Sequence, residues 1–98
     1  MQLFYKDTHI GDIIITGGDF PWVHGDFIKH AEYENFKDFF AFAISDKRDE
    51  DLKNFDSDLF DENNWTIKNG IEIIGIFEPS IFDETSKIGF RYRKPYLD

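Results

Sequence analysis

A chain of 98 residues that is 41% apolar and 18% aromatic, with twelve Phe, is long enough for one hydrophobic core and too short for two. The absence of cysteine excludes a disulfide framework and any thiolate metal site, leaving histidine and carboxylate as the strong ligands. A formal charge of −9 disfavours direct contact with nucleic acid or an anionic membrane, because both need clustered Lys and Arg to neutralise phosphate.

The first two elements are "QLFYK" (2–6) and "IGDIIIT" (10–16), both rich in β-branched and aromatic residues and separated by the turn-forming "DTH". They predict a β-hairpin. Gly17-Gly18-Asp19 then breaks the chain, and Pro21 pushes Phe20 into extended geometry. "PWVHGDF" reads as a short strand or bulged loop lying back on that hairpin.

From Glu32 the apolar period changes. At 100° per residue, Tyr33, Phe36, Phe40, Ala43 and Ile44 fall in one stripe with Phe39 at its edge, which predicts an amphipathic helix. Phe42 points away from that stripe, so it either meets a second helix or is exposed. The segment 45–64 places Leu52, Phe55 and Leu59 at i, i+3 and i+7 and predicts a second, weaker helix with a carboxylate-rich outer face. Asp46 or Asp49 would cap its start, and Asn63-Asn64 would end it.

The remainder reads as β: "IEIIGIF" (71–77), "SIFDE" (80–84) after the Pro79 break, and "KIGFRYR" (87–93). The last alternates cleanly, with Ile88, Phe90 and Tyr92 on one face and Lys87, Gly89, Arg91 and Arg93 on the other. Its basic face is either solvated surface offsetting nearby acids or an anion-binding stripe. Strands first, helices in the middle and strands last predict a single α+β domain over residues 1–98. Its antiparallel sheet would have about four or five strands, with one or two helices packed on one face.

The charge is unevenly spread. Residues 1–31 hold four acids and two bases, residues 32–64 eleven acids and four bases, and residues 65–98 five of each. The excess therefore lies in the middle third, and a basic protein surface is the partner it favours. "MQLFYKDTHI" lacks the pattern of a secretory signal, and no apolar run approaches the roughly 18 to 20 residues of a membrane span, so a cytoplasmic location is expected.

Motifs for chemistry are sparse. "GGDFPWVHGDFIKH" (17–30) gathers Asp19, Trp22, His24, Asp26 and His30, and His24-x-Asp26 with His30 supplies the imidazole and carboxylate donors of many zinc and iron sites. Its spacing matches no established metal motif, and such residues in a loop commonly serve as caps and turns. The acids around Asp56 fail the calcium-loop pattern, because its sixth and twelfth positions would be Asp61 and Ile67 rather than Gly and Glu. No serine sits in a nucleophile elbow, and Gly17-Gly18 opens no phosphate loop. A non-enzymatic protein without a cofactor is expected.

The run "GDFPWVHGDF", then "YENFKDFF", an acidic middle, "NWTI" and the closing "IEIIGIFEPSIFDETSKIGFRY" resembles a set of small uncharacterised bacterial proteins. In these an Asp-Phe-Pro-Trp segment precedes a Gly-x-Phe and an acidic helix, and an aromatic-Arg-Tyr strand closes the chain. The resemblance implies no activity and no catalytic residues.

The leading functional expectation is an acidic interaction domain of the immunity or inhibitor type. It would bind a basic partner through Asp46, Asp49, Glu50, Asp56, Asp58, Asp61 and Glu62. A DNA-mimic inhibitor of a nucleic-acid-binding protein is one alternative. A small metal- or ligand-binding domain built on Asp19, Trp22, His24, Asp26 and His30 is the other, set against a purely structural reading in which that stretch clasps the hairpin to the helix.

Overall fold

The expected hairpin forms the centre of the molecule. In this computed structural model, which describes residues 1–19, 21–45 and 55–93, β1 (Gln2–Tyr5) and β2 (Thr8–Gly17) pair antiparallel across a tight turn with Lys6 at φ 53°. β3 (Trp22–Lys29) returns along β2, so the "PWVHGDF" stretch is a full strand. This three-stranded meander is flanked by two further hairpins. β4 (Trp65–Asn69) and β5 (Glu72–Gly75) join at the β1 side, while β6 (Ser80–Phe82) and β7 (Lys87–Arg91) join at the β3 side.

The result is an α+β fold with a seven-stranded antiparallel open sheet in the order β5-β4-β1-β2-β3-β7-β6. The expectation of four or five strands is corrected upward, chiefly by β4. Its sequence, Trp-Thr-Ile-Lys-Asn, has the period-2 alternation of a half-buried strand, and Trp65 and Ile67 both point into the core. An isolated bridge between Ile76 and Tyr92 draws the chain beyond β5 towards the chain beyond β7.

The expected first helix is split. Ala31–Asn35 is a 3-10 turn, Phe36 interrupts it at φ −118°, ψ −8°, and only Lys37–Ala43 is α-helical (α1). The break follows from the aromatic packing it permits. A continuous helix would bury a stripe through Phe36 and Phe40, whereas here Tyr33, Phe39, Phe40 and Phe42 are all buried. Phe39 meets Phe55, Phe60 and Trp65 at ring-centroid distances of 5.7, 5.4 and 6.2 Å.

Phe42 is therefore not exposed, and among the described residues its partners lie in 3-10 turns rather than in a second helix. It lies 4.7 Å from Phe55 and 6.2 Å from Phe60, in a segment that forms the 3-10 turns Ser57–Phe60 and Glu62–Asn64. The second helix is thus corrected over 55–64. Asp56 and Asp61 stop it by accepting hydrogen bonds from the Asp58 and Asn63 backbone amides, the local turns that compete with helix. Asp46, Asp49, Glu50 and Leu52, like Phe20, lie outside the described residues.

The core sits between one sheet face and these short helical turns. Leu3, Ile10, Ile13, Phe27, Ile67, Ile88 and Phe90 point inward from the strands. Trp65, fully buried, donates its indole N–H to the Leu59 carbonyl at 2.9 Å, which anchors the 3-10 turn over the sheet. Each such side chain contributes about 1.5–3 kcal/mol by leaving water. No helix among the described residues is long and apolar enough to cross a membrane.

Candidate functional site

Among the described residues no helix covers the other sheet face, and two groups of chemistry-bearing side chains lie on it. The first is set by the alternation of β3. Trp22, His24, Asp26 and Ile28 are successive outward residues, because Phe27 between them is held in the core. Ile14 is the neighbour of Asp26 across β2, and Lys87 is its neighbour across β7. Trp22 is 61% exposed, Ile14 53% and Ile28 50%, which is high for side chains of this size.

Trp22 stands opposite Arg91 in the β3–β7 ladder, and the Arg91 guanidinium lies 5.8 Å from the Trp22 ring and 5.2 Å from the Phe77 ring. Two aromatic faces thus hold a cation that has no carboxylate partner among the described residues. Around it opens a groove of about 910 Å³, lined by Asp19, Trp22, His24, Phe77, Glu78 and Arg91 among others. Gly18 shapes its wall at φ +132°, with a Cβ there falling 2.4 Å from the Trp22 carbonyl, so no L side chain fits.

Asp19, Trp22 and His24 therefore converge on one concavity, while Asp26 and His30 do not line it. Asp26 takes an ion pair from Lys87, and among the described residues the His24 ring meets the Thr16 hydroxyl, 3.4 Å from its Nδ1. The basic residues of the last segment are likewise divided: on β7 Lys87 serves Asp26 and Arg91 the two rings, and beyond it Arg93 reaches the Asn63 side chain and Trp65 carbonyl at 3.0 and 3.2 Å.

The second group joins His30 to two residues that the sequence reading did not select, His9 and Asp12. In a regular strand, residues i and i+3 face opposite sides. Here the β1–β2 register slips between Leu3 and Phe4, so that Leu3 pairs Gly11 and Phe4 pairs His9, leaving Ile10 as a bulge. Ile10 and Gly11 are both buried, and His9 and Asp12 emerge on the same face. Gly11 is needed there, since a Cβ would lie 2.5 Å from the Phe27 ring and 2.6 Å from the Ile28 carbonyl.

Each Asp12 oxygen then serves one imidazole. His9 Nε2 lies 3.0 Å from Oδ1 and 3.1 Å from the Gly11 carbonyl, and His30 Nε2 lies 2.8 Å from Oδ2. Because a carbonyl only accepts, the His9 Nε2 carries a proton. The bond from His30, reinforced by that from His9, holds the Asp12 carboxyl below its ordinary pKa. The backbone bond from His30 N to the Ile10 carbonyl at 3.0 Å fixes the third member beside the bulge, and Phe4 stacks on His9 at 5.0 Å.

The acids of the middle segment are mostly engaged where they are described. Asp58 pairs with Lys6 at 2.8 Å, and Asp56 and Asp61 cap their own 3-10 turns. Glu62 opens the last turn. Compared with known proteins, the chain matches no family model, no curated protein and no solved structure.

Proposed function

We propose that this chain is a non-enzymatic interaction domain that holds a basic protein partner on the sheet face opposite the core. The observation that carries this reading is Trp22, most of its surface in water, stacked near Arg91 at the mouth of the groove. Tryptophan and arginine are the residue types that most often dominate binding energy, and Ile14 and Ile28 extend an apolar surface beside them. The charge of −9 and the rim carboxylates Asp19 and Glu78 supply the long-range attraction for a basic partner, as an immunity or inhibitor protein would need.

The test is capture of the partner from native cells, followed by calorimetric titration of the purified pair at low and high salt. The expected result is an affinity that falls as salt rises and drops roughly tenfold or more in Trp22→Ala. Ile73→Ser, at the far β5 edge of the sheet, is expected to bind as the wild type does. Equal affinity for wild type and Trp22→Ala would remove the reading.

The groove volume favours one second reading, a small planar anion stacked on Trp22 with its charge on Arg91. Screening such compounds by the fluorescence of Trp22, with Trp65 buried as the internal reference, separates the two. Quenching that survives Arg91→Gln would argue against the anion.

A further inference from the structure

We propose that His9, Asp12 and His30 form a binding site for a divalent transition-metal ion of the zinc type, independent of the groove and its partner. The three side chains come from two points on β2 and from the residue that follows β3, and one donor atom from each lies within 4.8 Å of the others. Two imidazole nitrogens and one carboxylate oxygen are the donor set that suits zinc and its borderline neighbours, and hard cations such as magnesium and calcium take all-oxygen sets instead.

The geometry is close to what a metal requires. Zinc bonds imidazole nitrogen and carboxylate oxygen at about 2.0–2.2 Å, so tetrahedral ligands stand about 3.3 Å apart. His9 and His30 Nε2 now contact different Asp12 oxygens, at 3.0 and 2.8 Å, and one donor atom from each residue lies within 4.8 Å of the others, so rotations of these side chains bring two nitrogens and one oxygen to that spacing. Binding requires each imidazole to present its Nε2 lone pair to the ion in place of the contact it now makes with Asp12.

The backbone already supplies the preorganisation. The Ile10 bulge turns His9 and Asp12 to one side, the His30 N–H to Ile10 carbonyl bond holds the third ligand in register, and the Phe4 ring limits rotation of His9. All three side chains are partly exposed, which gives the ion an entry path and leaves its remaining coordination positions to water.

The test titrates the purified chain with zinc chloride by calorimetry and follows the three histidines by two-dimensional NMR. The expected result is one zinc per chain, with the His9 and His30 ring signals moving together and those of His24 unmoved. His30→Ala and Asp12→Asn are each expected to weaken binding roughly tenfold or more, and His24→Ala to leave it unchanged. Cobalt added in place of zinc should give the visible absorption of a site of low coordination number, a readout on wild-type protein that depends on no variant folding. Failure of zinc to move the His9 and His30 signals, equal movement of His24, or unchanged affinity in folded His30→Ala would overturn the proposal.

Discussion

The two faces of one sheet differ in what lies over them. On the inner face Leu3, Ile10, Ile67, Ile81 and Ile88 are buried beneath α1 and the 3-10 turns. On the outer face side chains of the same chemistry stand half or more exposed, Ile14 and Ile28 on the strands around Trp22 and Ile73 at the β5 edge. Hydrophobicity alone does not decide which face is core. The covering elements do, and those among the described residues lie on one side, where the aromatic residues of α1 and of 55–60 pack around Trp65. Folding energy therefore resides on one face, and the groups available to a partner or an ion on the other.

The sharpest way to break this comparison is to remove an inner-face anchor. Trp65→Ala is expected to cost about 3–5 kcal/mol, measured by denaturant unfolding, because it opens a cavity and frees the Leu59 carbonyl. Gly11→Ala is expected to cost about 1–3 kcal/mol by driving a methyl into Phe27. It should also disturb the His9 and Asp12 ring and carboxyl environments in NMR, since the glycine lies in the bulge between them.

Tyr33 tests the inner face by pH. Burial, with smaller contributions from Asp83 and Glu34, pushes its phenol up to about 12 from 10. The unfolded chain then ionises first, so stability is full below pH 10 and falls as pH rises towards 12. Tyr33→Phe is expected to flatten that alkaline loss, read from thermal melting at several pH values.

The outer face should respond weakly. Ile28→Ser is expected to change stability by no more than about 0.5 kcal/mol, and Asp58→Asn, which breaks an exposed pair with Lys6, to leave the unfolding midpoint nearly unchanged. If Ile28→Ser destabilises as much as Gly11→Ala, the two faces are not energetically distinct.

Strand periodicity was legible where burial is one-sided. "KIGFRYR" alternates, and β7 does place Ile88 and Phe90 inward. "WTIKN" carries the same signal over five residues, but it sits at the end of an acidic run that reads as helix. The groove was partly legible, since Asp19, Trp22 and His24 were selected for their chemistry and do converge. His9 and Asp12 were not, because on an unbulged strand they would face opposite ways.

By itself the amino-acid order determined the hairpin, the aromatic wealth of the core, the α+β class and the alternating faces of the last strand. Each is a local or compositional property, set by propensity and by a period of two. Only the tertiary structure decided the break at Phe36, the seven-strand order, and the grouping of His30 with His9 and Asp12. The first depends on distant rings from Phe55 to Trp65, and the others on strand pairing and a register slip opposite β1. Those interactions join residues far apart in the chain, and no local pattern records them.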